Sequence, residues 1–283
     1  MTAARAVPDD VAQLITPLRD DPRSSAVLCD IDGTLAPIVL DPGQARVPSD
    51  VQDALRALAE RFALVACVSG RRAADARRLV GVDELTYAGN HGLELLRPGE
   101  RDAELDPAVR GGAPATREFM GTLDAMALGE AGMMIEDKGP IQALHWRTAA
   151  DGEVAEQQAR EIAVQAERAG LVAHWGRKVL EIRPTGEVNK GTAVRRLVDS
   201  VRGVQRALFA GDDRTDLDAF DALRAAVAEG SLRFAVCLGV SSEERPSGLA
   251  ESADALLGGP EAFGDVLRSL ARPRATEPAG GRR

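Results

Sequence analysis

Apolar positions recur along this chain in two rhythms. Over residues 9–19, Val11, Leu14, Ile15 and Leu18 fall on one face of a 3.6-residue period, which predicts a helix. Residues 26–29 form a short unbroken apolar run, the pattern of a fully buried strand. Ser49, with Gln52 three residues on, predicts a capping box opening a helix whose face carries Val51, Ala54, Leu55 and Leu58. A second buried strand over 63–68 ends at Ser69-Gly70; a helix to about Val80 and a strand over 85–88 follow. After Glu181 the alternation resumes. Val194, Leu197, Val198 and Val201 mark a helix, 206–210 a strand, Leu217 and Phe220 a helix, 234–238 a strand. Pro260 starts a last helix with Phe263, Val266, Leu267 and Leu270. Alternating strands and helices predict an α/β fold, a doubly wound, Rossmann-like parallel sheet covered on both sides.

Residues 113–183 follow another pattern. A helix over 115–128 precedes adjacent strands at 133–138 and 142–147; a helix over 152–169 precedes strands at 171–175 and 179–182. Paired strands with short turns predict an antiparallel sheet, hence an α+β cap domain inserted into the parallel core. The expected layout is a first core part at 1–111, a cap at 112–183, a second core part at 184–271 and a disordered tail at 272–283.

Composition narrows the function. The net charge of −9 argues against a nucleic-acid surface, which rewards clustered Lys and Arg, yet leaves room for a small phosphorylated ligand. No apolar run approaches the roughly 20 residues a bilayer requires, and Asp9 and Asp10 interrupt the region where a signal-peptide core would lie. Cys29, Cys67 and Cys237 lack CxxC spacing and read as packing in a reducing compartment. A cytoplasmic monomer without membrane or nucleic-acid partners is expected.

Four segments each end or follow a strand, or open a helix, of the parallel domain, so all are expected at one crevice. In Asp30-Ile31-Asp32-Gly33-Thr34-Leu35, one carboxylate can act as nucleophile and the other as general acid and base. Ser69-Gly70-Arg71 offers a hydroxyl and backbone N–H groups for an anion. Lys190, in Asn189-Lys190-Gly191, can neutralise a phosphoryl group. Gly211-Asp212-Asp213-Arg214-Thr215-Asp216 gathers three acids, costly without a counter-cation and suited to Mg²⁺; helix capping is an alternative reading of Asp213 or Asp216. Met133, Met134, His174 and Trp175 read as packing of the inserted unit.

These motifs, in this order, resemble the haloacid dehalogenase superfamily. Together with GNHGLE (89–94), EDK (136–138), HWR (145–147) and EIRP (181–184), they resemble its trehalose-6-phosphate phosphatase family. The resemblance implies Mg²⁺-dependent hydrolysis of a small sugar phosphate, trehalose 6-phosphate, through an aspartyl-phosphate intermediate. It implies that Asp30 is the nucleophile, that Asp32 is the acid and base, and that Ser69 and Lys190 hold the phosphoryl oxygens. Metal contacts would come from Asp30, Asp32 through its carbonyl, and Asp212, with Asp213 and Asp216 in support. Glu136, Lys138 and Glu181 would grip sugar hydroxyls; Gly70, Arg71, Asn90, His91, Arg147, Arg183 and Asn189 would add substrate contacts. The family usually has Tyr where Trp146 stands and an acid where Leu217 stands.

Overall fold

A computed structural model describes residues 7–39, 44–176, 178–242 and 246–273; most of the expected disordered tail, 274–283, lies outside the described residues. In chain order the elements begin with α1 (Asp9–Asp20), β1 (Ser25–Cys29), α2 (Ser49–Arg61), β2 (Leu64–Val68), α3 (Ala73–Val80), β3 (Thr86–Gly89) and β4 (Glu94–Leu96). Next come β5 (Glu104–Leu105), α4 (Pro107–Arg110), α5 (Ala113–Gly121), α6 (Ala125–Glu130), β6 (Met134–Asp137), β7 (Gln142–His145), α7 (Gly152–Arg168), β8 (Val172–Gly176) and β9 (Val179–Arg183). The chain then continues through α8 (Lys190–Ser200), β10 (Arg206–Gly211), α9 (Arg214–Ala228), β11 (Phe234–Val240), α10 (Leu249–Ser252), β12 (Ala255–Leu257) and α11 (Pro260–Ala271). Among the described residues, no helix is long and apolar enough to cross a membrane.

Two compact units result, one formed by 1–103 with 189–283 and the other by Glu104–Val188. In the first unit the strands run in the order β12-β11-β10-β1-β2-β3-β4. All pair in parallel except β4, which returns antiparallel to β3. Every residue of β1 and β2 is buried, so both faces need apolar cover. One core cluster packs α1, α2, α3 and α11 against Val27, Cys29, Val65 and Cys67. The other packs α8 and α9 against Ala26, Leu28, Ala66 and Phe209. The three cysteines are buried and unpaired. From β1 the chain winds one way through β2 and β3, and later the other way from β10. The switch point therefore lies between β1 and β10, where a ligand crevice is expected at the strands' C-terminal ends.

The second unit is wider than the expected 112–183, because β5 and α4 belong to it. Its antiparallel sheet runs β6-β7-β9-β8. One face packs on the helices through Leu144, Trp146, Leu180 and Ile182. The other face carries Glu136, Ala143, Glu181 and His174 at paired positions across the four strands.

Several local expectations are corrected. The 115–128 helix is two helices, because Asp124 accepts hydrogen bonds from Met126 N and Ala127 N and starts α6 afresh. No capping box opens α2: Pro48 occupies the cap position, and Gln52 donates instead to Val47 O. Met134 is not core but 62% exposed, since β6 alternates and only Met133 and Ile135 turn toward the helices. His174 is exposed as well. Trp175 is 41% exposed on the edge strand, yet it packs edge-on against Trp146 at 6.1 Å and under Arg160 at 5.4 Å.

Candidate active site

Asp30 follows β1 directly, and its backbone N donates to Ala210 O on β10, so it sits at the switch point. Gly33 makes the tight turn that follows, with φ +80°; a Cβ there would lie 2.0 Å from Asp212 Oδ2, so only glycine lets Asp212 come this close. Thr34 Oγ1 donates to Asp212 Oδ1 at 3.0 Å. Asp30, Asp212 and Asp216 are buried, and each offers a carboxylate oxygen within 4.8 Å of the others.

Lys190, only 1% exposed, reaches this trio from the first turn of α8, where Asn189 and Thr192 form a capping box. Its Nζ lies 2.7 Å from Asp216 Oδ1, 3.0 Å from Asp30 Oδ2 and 3.6 Å from Asp213 Oδ1. Asp213 forms the second capping box, opening α9: its Oδ1 accepts from Thr215 N and Asp216 N, while Asp216 Oδ2 accepts from Asp213 N. Capping and the acidic site are thus one arrangement, not rivals.

Charge explains the titration. Burial pushes Asp30 up to about 7 although Lys190 pulls it down, and Asp213, Asp212 and Asp32 add to the rise. Burial also lifts Asp212 to about 7, with Asp216 contributing. Burial acts to raise Asp213 as well, but Lys190 and the Thr215 hydrogen bond overcome it and bring the group to about 2. Burial alone would drive the Lys190 proton off; the surrounding carboxylates hold it on. One ammonium against three buried carboxylates leaves unbalanced negative charge. Oxygen donors with unbalanced charge in a dry site suit a hard divalent cation. The residues present therefore fit Mg²⁺.

Asp32 and Arg71 form a fork, Nε to Oδ2 and Nη2 to Oδ1, both 2.7 Å. Ser69 is buried and its Oγ accepts from Arg71 N at 3.2 Å. Asn90 and His91 hold this loop from beneath: Asn90 N donates to Arg71 O and His91 N to Ser69 O. Both have positive φ, 50° and 59°, uncommon for residues with a side chain. A Cβ on Gly70 would meet the His91 ring at 2.8 Å, so Gly70 makes room for the imidazole.

The first unit thus gathers Asp30, Asp212, Asp216 and Lys190. The carboxylates of Asp32 and Asp213 lie outside the trio, Asp32 paired to Arg71 and Asp213 capping α9. Asn189 is exposed, its side chain accepting from Thr192 N.

In the second unit, Glu181 is 6% exposed; Lys138 Nζ lies 2.9 Å from its Oε1, and Arg183 bonds its Oε2. Glu136 accepts from His145 Nε2 at 2.8 Å, which holds its carboxyl below the usual range. Arg147 is exposed in the turn after β7. The sequence motifs include Thr34 and His145 but assign neither a role. Strand alternation carried the signal for His145, two residues from Ala143 and so on the polar face; Thr34 had none beyond its place in the motif.

This fold defines a class. A haloacid dehalogenase-like hydrolase from Bacteroides thetaiotaomicron shares it at TM-score 0.59 and 14% identity, covering 88% of this chain and 98% of that one. The C-terminal domain of a Candida albicans trehalose-6-phosphate phosphatase shares it at TM-score 0.71 and 21% identity, covering 96% and 99%. Within the class, the family model described as Trehalose-phosphatase matches residues 28–248, and the chain belongs to that family. It is similar to a trehalose-phosphate phosphatase from Mycobacterium avium, 36% identical over 212 residues, which cover 74% of this chain and 54% of that protein. The chain spans about half the length of the curated mycobacterial trehalose-phosphate phosphatases it matches.

Proposed function

We propose that this chain hydrolyses trehalose 6-phosphate to trehalose and phosphate, with Asp30 as nucleophile and Mg²⁺ as cofactor. The observation that carries the reading is the buried Lys190 ammonium, 3.0 Å from Asp30 Oδ2 and surrounded by carboxylates that leave negative charge to be neutralised. Family membership and the relatives' names support the substrate.

In the proposed reaction an Asp30 carboxylate oxygen attacks phosphorus, and the bond from phosphorus to the sugar oxygen breaks. Asp32 gives that oxygen a proton. The same carboxylate then takes a proton from water, whose oxygen attacks the aspartyl phosphate and releases inorganic phosphate. Asp30, Asp212 and Asp216 would hold Mg²⁺, with the Asp32 carbonyl and Asp213 in support; the ion supplies positive charge that screens the repulsion between carboxylate and phosphate dianion. Lys190 and Ser69 bind phosphoryl oxygens, and Arg71 keeps Asp32 oriented. The second unit serves as cap: Glu136, Lys138, Glu181 and Arg183 bind sugar hydroxyls, while Gly70, Asn90, His91, Arg147 and Asn189 add substrate contacts. Three unpaired buried cysteines suit a reducing cytoplasm.

Phosphate release tests this, measured with Mg²⁺ and with EDTA on trehalose 6-phosphate, sucrose 6-phosphate and glucose 6-phosphate. Trehalose 6-phosphate is expected to be turned over fastest and only with metal. Preference for another sugar phosphate would refute the substrate, and silence on all three would leave a non-catalytic binder.

A further inference from the structure

The face of the second unit's sheet turned away from its helices carries more polar chemistry than the resemblance assigns. Register places Glu136 opposite Ala143, Ala143 opposite Glu181, and Glu181 opposite His174. Alternation puts all four side chains on the face away from the helices. His174 is therefore the fourth station of a row that contains two of the proposed sugar contacts. Its neighbour fixes that facing: Trp175 turns to the opposite side, where it packs against Trp146 and under Arg160. The residue between the two acids is Ala143, which is buried. With strands about 4.8 Å apart, the row spans three steps, roughly 14 Å, a length suited to two sugar rings side by side.

We propose that His174 is a further specificity residue, whose imidazole hydrogen-bonds a sugar hydroxyl at the far end of the row from Glu136. The proposal rests on the phosphatase reading above. An imidazole both donates and accepts, as a hydroxyl does. Glu181 already bonds Lys138 and Arg183, so it is a fixed centre from which a sugar ring is located. His174 is exposed on the edge strand, where a ligand can reach it.

The test compares kcat/KM for trehalose 6-phosphate with kcat/KM for p-nitrophenyl phosphate, which has no sugar, in the full-length wild type, His174→Ala and His174→Gln. One lost hydrogen bond corresponds to a fall of about three- to tenfold in that ratio for His174→Ala, expressed through KM. His174→Gln, which keeps a donor and an acceptor, restores most of it. An unchanged ratio in His174→Ala, in a wild type that prefers the sugar phosphate, overturns the role of His174 and leaves the phosphatase reading standing. Equal losses on both substrates, accompanied by a lower melting temperature in both variants, assign His174 to structure and overturn it too. A wild type with no preference for the sugar phosphate overturns both.

Discussion

At the scale of single residues, the site is an arrangement of charges that do not cancel. Lys190 neutralises one of the buried carboxylates Asp30, Asp212 and Asp216. Asp216 Oδ1 faces the ammonium and its Oδ2 accepts from two backbone N–H groups, yet burial outweighs both and raises its carboxyl well above the usual range. Burial and the excess negative charge lift Asp30 and Asp212 as well, from 3.8 to about 7. Between about pH 4 and pH 7 the folded chain binds more protons at these groups than the unfolded chain does, so metal-free stability falls as pH rises through that range. Mg²⁺ favours the ionised carboxylates and opposes the fall. Thermal melts in EDTA should show a lower melting temperature near pH 8 than near pH 5.5, and Mg²⁺ should raise it by roughly 5 °C or more near pH 8 and far less near pH 5.5. A metal effect independent of pH would contradict this account of the cluster.

At the scale of elements, the site depends on how strands end and helices begin. The loop after β1 can approach the loop after β10 only because Gly33 has no side chain and adopts a left-handed conformation. Gly33→Ala should cost about 1–2 kcal/mol in backbone strain alone and displace Asp212 besides. Calorimetry should find Mg²⁺ affinity reduced at least tenfold in that variant; unaltered affinity would mean that Asp212 is not held by this turn. Buried strands were legible because β1 and β2 are continuous apolar runs, and Asp30 and Ser69 were recognised from directly following them. Caps were less legible. Ser49 carried a capping-box pattern that Pro48 displaced, whereas Asn189 with Thr192 and Asp213 with Asp216 form capping boxes from pairings outside the Ser/Thr-to-Glu/Gln pattern. Met134 and His174 lie in strands that look apolar throughout, and the sequence does not show which parity faces the helices. Ile135 and Trp175 take the packed parity, so their neighbours face solvent.

At the scale of the whole molecule, the proposed function divides labour between a parallel-sheet unit for phosphoryl chemistry and an antiparallel-sheet unit for sugar recognition. The alternating and paired strand patterns made both units legible, while the boundary near Glu104 was hidden because β5 and α4 are too short to show a period. The claim on which the rest depends is that phosphate passes through Asp30. The most direct measurement is an acid quench of the Mg²⁺-loaded protein during turnover of trehalose 6-phosphate, followed by peptide mass spectrometry. A phosphoryl group on Asp30, lost on chase with unlabelled substrate and never formed in Asp30→Asn, is the predicted result. Free phosphate released at full rate with Asp30 unmodified, or by Asp30→Asn, would contradict it.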